Sequence, residues 1–298
     1  MDHGIHFHTG IPRSGHSLLG AILKQNPKFY TWPSSPMASL VRAMLPMMGA
    51  QSDYTSMFND DKRRAILRGM FDGYYHAIHP IQTPLDTNGS WCAFLPIIAE
   101  LFPKAKIICM ARELAWVLDS VELLIRRAPL QMPRIFPSRD DHANVYSRVQ
   151  SMLTWGGFVG YGWTSTLEVF HGPLARKMIM IDYETLCRWP EFTLRQLYLA
   201  LEMEPFDHRF TDLEWPGGGE FDLRTGTPTL HSIKPNVEWK PRKTSVLPPD
   251  LFARYSNSMY WRRPHTSMCR VIVAPPLLEV PRIPQQVPVE SSLARAAE

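Results

Sequence analysis

No apolar run in this 298-residue chain approaches the roughly 20 residues a helix needs to cross a bilayer, so no membrane span is expected. Cysteine is scarce, with Cys92, Cys109, Cys187 and Cys269 the whole complement. None forms a C-x-x-C pair or joins histidines at zinc spacing, which leaves no metal site to read. Cys109 sits in an apolar strand pattern and reads as a buried free thiol. Neither sign of charge dominates: 32 Lys and Arg stand against 28 Asp and Glu, a net charge of +4. Without a clustered basic face, nucleic acid is not an expected partner, whereas a small anionic ligand fits. The opening residues MDHGIHFHTG lack the basic start and apolar core of a secretory signal, so the expected compartment is the cytoplasm.

What is present is ordinary globular composition, 45% hydrophobic and 20% charged, in a chain long enough for one large domain or two small ones. Strand and helix patterns alternate. The continuous apolar run of KAKIICMAR reads as a strand buried on both faces, and ELAWVLDSVELLIRRA as a strong helix after it. KMIMIDYETL is another strand, followed by a helix with Pro190 in its first turn. A helix is expected over about 60–78, and 30–59, with Pro33, Pro36 and Pro46, reads as an irregular, partly helical excursion. The class is therefore α/β, a parallel sheet with helices on both faces. Beyond Glu204 the pattern dissolves. Gly217, Gly218 and Gly219 read as a flexible loop, one more helix starts near Pro248, and from Pro264 the chain is proline-rich without periodicity. The expected division is a domain over 1–263 and a tail over 264–298, either disordered or clasping the domain or a partner subunit, which leaves a homodimer open.

The most informative stretch is IHFHTGIPRSGHSLLGAILKQNP, residues 5–27: a strand, a tight loop, a helix stopped by Asn26-Pro27. It nearly spells G-x-x-x-x-G-K-[ST] from Gly10 through Gly15 to Ser17, but the lysine position holds His16. A loop that opens a helix presents backbone N–H groups under the positive end of the helix dipole. Arg13 adds a two-pronged donor, and Ser14 and Ser17 add hydroxyls. That is a cradle for a phosphate or sulfate; a plain strand–helix turn with glycines for tightness is the alternative.

GIPRSGHSLL resembles the 5′-phosphosulfate loop of sulfotransferases that use 3′-phosphoadenosine 5′-phosphosulfate (PAPS). LFPKAKIICMARELAWVLDSVELLIRR resembles that family's second motif, a strand ending in an arginine and a helix carrying a serine eight residues later, here Arg112 and Ser120. IDYETLCRWPEFTLRQLYLALEM resembles the family's Y-E-x-L-x-x-x-P segment, and VEWKPRKTSVLPP a carboxyl-terminal nucleotide-covering loop of bacterial-type members. The likeness spans about residues 4–262 and extends distantly to tyrosylprotein sulfotransferases. It implies a P-loop-kinase-like three-layer fold with a central parallel sheet flanked by helices. It implies that PAPS, or its product 3′-phosphoadenosine 5′-phosphate (PAP), is held by Arg13, Ser14, Gly15, His16, Ser17, Leu18, Arg112, Ser120, Tyr183, Lys240 and Arg242. Arg13 and the helix start would take one end, Arg112 and Ser120 the 3′-phosphate. The implied activity is transfer of a sulfuryl group, without a metal, to a hydroxyl or amine on a small molecule or peptide.

The chain departs from that family at two places. Where relatives carry a lysine or arginine after the asparagine of LDTNGSW, this chain has Gly89. His16 is the candidate replacement cation, with a pKa expected above the ordinary ~6.5. No carboxylate stands in TWPSSPMASL, where tyrosylprotein sulfotransferases have a glutamate, which leaves Asp86 as candidate base, with a turn-capping role as its alternative. Arg13, His16 and Asp86 are thus the catalytic candidates, and His6 and His8 read as packing residues on one strand face. The rival readings are a PAP- or PAPS-binding protein with weakened catalysis, and a P-loop small-molecule kinase that lacks the usual lysine.

Overall fold

The computed structural model describes residues 4–242, 244–263 and 267–278. In chain order the elements are β1 (His6–Gly10), α1 (His16–Leu23), β2 (Phe29–Thr31), α2 (Met37–Met48), α3 (Asp60–Tyr74), β3 (Thr83–Thr87), α4 (Leu95–Leu101), β4 (Ile107–Ala111) and α5 (Leu114–Arg127). They continue with α6 (Val145–Leu153), α7 (Gly160–His171), β5 (Met178–Asp182), α8 (Tyr183–Arg188), α9 (Pro190–Leu201), α10 (Gly219–Arg224), α11 (Pro249–Tyr255) and β6 (Arg270–Ile272).

The six strands form one parallel sheet in the order β2-β3-β1-β4-β5-β6. Every residue of β4 and β5 is buried, which is why both read as unbroken apolar runs. Alternate side chains go to opposite faces. Phe7, Cys109 and Met180 join Val41 of α2, Phe71 of α3, Ile98 of α4 and Phe170 of α7. Ile108, Met110, Ile179 and Ile181 join Leu19 and Ile22 of α1 and Leu197 of α9. A third cluster packs α5, α6 and α11 together beside Ile11. This is the expected three-layer α/β arrangement. β1 lies between β3 and β4, so the chain leaves its carboxyl end at the switch in strand order, where open α/β sheets form a ligand crevice.

The expected tail does not begin where its sequence suggests. β6 extends the sheet, pairing Arg270, Val271 and Ile272 with Ile179, Met180 and Ile181. Cys269, Ile272, Val273 and Ala274 are buried, and the Ala274 N–H donates to Thr185 Oγ1 at 3.1 Å. Just before it, Trp261 Nε1 and Arg262 Nε donate to Asp182 Oδ2 at the end of β5, at 2.8 and 3.0 Å. Three residues between prolines carry no period, so only pairing reveals the strand. The rest of that stretch, 264–266 and 279–298, lies outside the described residues.

β1 also buries imidazoles. His8 is fully buried with neither ring nitrogen partnered, and burial lowers its pKa to about 4. His6 falls to about 4 through burial and the charge of Lys106, and its Nδ1 accepts the Lys106 N–H at 3.2 Å. His208 falls to about 4 through burial while bonding Tyr198 Oη.

Two outcomes are expected. A chain ending at Arg263 should melt well below the full chain by circular dichroism, and Ile272→Ala should cost about 2–4 kcal/mol; an unchanged transition in both would detach β6 from the core. The depressed histidines protonate more readily in the unfolded chain. Stability should therefore be complete above pH ~6.5 and fall as pH drops toward 4, with His8 alone contributing up to about 3 kcal/mol. In urea unfolding between pH 5 and 7, His8→Gln should flatten that dependence, and an equal slope in parent and variant would contradict a desolvated His8.

Candidate active site

The site grows from the turn between β1 and α1. The Ser14 N–H donates to Ile11 O at 3.1 Å, which tightens the turn. Arg13 has φ of 64°, a left-handed conformation that a non-glycine residue holds only where its surroundings enforce it. Gly15, with φ of 102°, ends the loop; a Cβ there would lie 2.6 Å from the Tyr183 ring. α1 then starts at His16 with no side-chain cap and no acidic residue in its first turn. Its leading N–H groups and dipole have no carboxylate from the helix's own first turn beside them. Ser14 Oγ and His16 Nδ1 are buried without a partner. Ser17 is buried in the same turn, and Leu18 packs against the cluster formed by α1 and α9.

The family resemblance implies that Arg13 and Arg112 take opposite ends of a ligand; the structure divides them differently. Arg13 Nε donates to Ser120 Oγ at 3.1 Å, and its Nη1 donates to the carbonyls of Thr229 and Leu230. Arg112 Nη1 donates to the Arg13 carbonyl at 3.0 Å, and its guanidinium lies 4.5 Å from the Tyr183 ring centroid. Both cations and Ser120 form one cluster at the carboxyl edge of the sheet. Neither arginine forms an ion pair among the described residues. Burial lowers the pKa of each, with Arg112 also lowering Arg13 and Arg242 also lowering Arg112. Asp222 acts in the opposite sense on Arg13 and Asp119 on Arg112, but both from beyond ion-pair distance, so two half-buried cations that repel one another make a positive pocket.

Tyr183 walls this pocket, its hydroxyl pushed up to about 12 mainly by burial. Beside it, 6.2 Å between centroids, lies the Trp239 ring, whose Nε1 is buried without a partner. Arg242 is close enough to Arg112 to be felt, but it pairs with Asp119 of α5 and lies over Trp116. Lys240 is exposed and paired with Glu238 at 2.7 Å, away from this cluster's hydrogen bonds.

Two catalytic expectations are corrected. Asp86 is 1% exposed, and both its oxygens are engaged. Trp91 Nε1 donates to Oδ1 at 2.8 Å, Tyr75 Oη to Oδ2 at 2.6 Å, and Ser35 Oγ lies 2.7 Å from each. In register with Phe7, Asp86 points into the layer of α2, α3 and α4, where it ties helices to β3, and no acceptor hydroxyl could reach it. His16 is not a prepared cation: its pKa lies well below the ordinary value, through burial first and then His8, His231 and Arg13. The protein's own groups thus disfavour the imidazolium. Gly89 does stand beside the loop, where an added Cβ would lie 3.5 Å from the Gly10 carbonyl.

Within the loops over 205–235, the sequence singles out no residue of the segment 222–231. That segment carries no apolar period, and its three preceding glycines read as flexibility. Arg13 binds it to the loop through the Thr229 and Leu230 carbonyls, which brings the His231 ring to 5.8 Å from that of His16. Among the described residues no helix is long and apolar enough to cross a membrane.

No curated protein matches the chain. Solved structures similar to it include the sulfotransferase domain of the Synechococcus PCC 7002 olefin synthase, at 18% identity over 68% of this chain and 74% of that one, with a TM-score of 0.45. The sulfotransferase domain of the curacin biosynthetic pathway is 17% identical over 94% and 92%, with a TM-score of 0.46. A sulfotransferase from Alicyclobacillus acidocaldarius is 15% identical over 83% and 87%, with a TM-score of 0.45. The model of the Sulfotransferase family matches residues 7–208, more than half the chain and all of the strand–loop–helix units around Arg13 and Arg112. The chain belongs to the sulfotransferase family.

Proposed function

We propose that the chain transfers a sulfuryl group from PAPS to a hydroxyl or amine of a small-molecule or peptide acceptor. What supports this reading is the pair of arginines at Ser120, neither of them ion-paired to a carboxylate among the described residues. A dianionic 3′-phosphate supplies the missing charge, and guanidinium groups suit it because they donate in a fixed fork. The other end of the nucleotide falls to α1: uncapped N–H groups, the orphan Ser14 hydroxyl and the dipole suit a 5′-phosphosulfate. Tyr183 and Trp239 offer aromatic faces between these two regions, the right chemistry for an adenine. PAPS supplies a sulfuryl group already activated by its anhydride bond to phosphate. The residues of this chain orient that group and stabilise charge on the departing phosphate.

A second reading, nucleotide binding with weakened catalysis, is favoured by the burial of Asp86 and by the lowered pKa of His16. Transfer of labelled sulfate from PAPS separates the two.

PAP should bind more tightly than ATP, which lacks a 3′-phosphate. Arg112→Ala should cost about 1.5–3 kcal/mol of PAP affinity by calorimetry while leaving the melting transition in place. Equal affinity for PAP and ATP in the parent would overturn the reading.

A further inference from the structure

Beyond the Arg13–Arg112 cluster, one more guanidinium stands at the carboxyl edge of the sheet without an assigned role. Arg42 lies in the second turn of α2, within the excursion between β2 and β3. It is exposed, and no carboxylate pairs with it among the described residues. Its side-chain polar contact is Ser90 Oγ, 3.5 Å from Nη2, at the edge of hydrogen-bond range. Two aromatic rings hold it instead. The guanidinium carbon lies 4.9 Å from the Tyr161 ring centroid and 5.6 Å from that of Phe94. Ring faces attract the cation without neutralising it, so its donor fork is held in place for an oxygen ligand.

The residues around Arg42 place it beside the anion loop. Ser90 follows Gly89, where an added Cβ would lie 3.5 Å from the Gly10 carbonyl at the end of β1. Tyr161 precedes Gly162, where a Cβ would lie 3.3 Å from Ile11 Cγ2 and 3.7 Å from the Gly89 carbonyl. The loop after β1, the turn after β3 and the start of α7 thus meet at one junction, and α2 brings Arg42 against it. In the sheet β3 and β4 flank β1 on opposite sides. Arg112 follows β4, so Arg42 approaches the loop from the side away from the paired arginines. Trp155, 78% exposed, lies 6.3 Å from the Tyr161 ring and extends the aromatic wall outward.

We propose that Arg42 selects the acceptor by binding a carboxylate on it, so that the substrate class is hydroxyl compounds that also carry a carboxylate. This rests on the sulfuryl-transfer reading above. A guanidinium presents a planar fork that a carboxylate fills with two parallel hydrogen bonds. Arg42 brings one positive charge, the match for a monoanion, whereas the Arg13–Arg112 cluster brings two and suits a phosphate. The Tyr161 and Trp155 rings favour an acceptor with a flat apolar body between its hydroxyl and its carboxylate.

The test compares full-length parent, Arg42→Gln and Arg42→Lys, with labelled PAPS as donor and 6-hydroxy-2-naphthoate or 2-naphthol as acceptor, probes that differ in the carboxylate alone. The parent should favour the naphthoate by about 10-fold in kcat/KM, chiefly through KM. In Arg42→Gln that ratio should fall to about 1, and Arg42→Lys, which keeps the charge but not the fork, should restore part of it. Calorimetry of both probes, with and without PAP, should show the same preference in the parent and its loss in Arg42→Gln. A parent preference below about 3-fold, or an Arg42→Gln variant that keeps the parent's ratio, would overturn the assignment. So would equal loss of both acceptors in that variant, since Arg42 would then serve the sulfuryl group or the fold. A parent that binds no PAP and transfers nothing, yet shows the Arg42-dependent preference by calorimetry, would uphold the carboxylate site and sink the sulfuryl-transfer reading alone.

Discussion

Two guanidinium groups of like charge, held against one backbone turn and ion-paired to no carboxylate among the described residues, are the constraint on which the site depends. Arg112 bonds the carbonyl of Arg13, and Arg13 reaches Ser120 and the carbonyls of Thr229 and Leu230. Each bond offers the negative end of a dipole, and the Tyr183 face offers a quadrupole, but none cancels a full charge. Such an arrangement is unfavourable for folding alone. It persists because the parallel sheet fixes both arginines at its carboxyl edge, Arg13 after β1 and Arg112 after β4, whose strands pair directly. The left-handed backbone of Arg13 belongs to the same account: the turn is held in a strained shape that aims its side chain across the crevice.

The buried carboxylates complete the picture by where they are used. Asp86 joins Ser35 just before α2, Tyr75 just after α3 and the 3₁₀ turn at Trp91–Phe94 to β3. Asp119 receives Arg242, the Ser245 hydroxyl and the Val246 N–H, which fastens these three residues to α5. Asp182 receives Trp261 and Arg262 and so anchors the approach to β6. Glu122 receives Arg126 and Arg148. Each of these joins two parts of the fold, and removing one would strand buried donors. Asp222 is different, because its partner is the histidine beside the anion loop.

The parts of the fold legible in the sequence were those with strong local signals. β4 and β5 are unbroken apolar runs, α5 has a clean apolar stripe, and the first loop spells its turn in Gly10, Pro12 and Gly15. β6 was illegible because three residues are too few for a period. α7 begins with two glycines and three hydroxyl residues in its first eight positions, poor helix chemistry; packing explains them, since a Cβ on Gly160 would strike the backbone of Leu153 and Thr154. At the site, Arg13, Arg112, Ser120 and Tyr183, each marked by a motif, lie together. Asp86 was misplaced because motif position does not say which side of a strand faces the helices. Asp222 and His231, nine residues apart across a turn, have no sequence pattern that joins them.

The account's central claim is that the paired arginines hold a 3′-phosphate while the start of α1 holds the 5′ end. A crystal structure of the complex with PAP tests it most directly. The account predicts the 3′-phosphate oxygens within hydrogen-bond distance of Arg112 and of Arg13 or Ser120, with the 5′-phosphate on the first-turn N–H groups of α1. A complex in which Arg112 and Arg13 keep only their present protein contacts, and the nucleotide lies elsewhere, would contradict it.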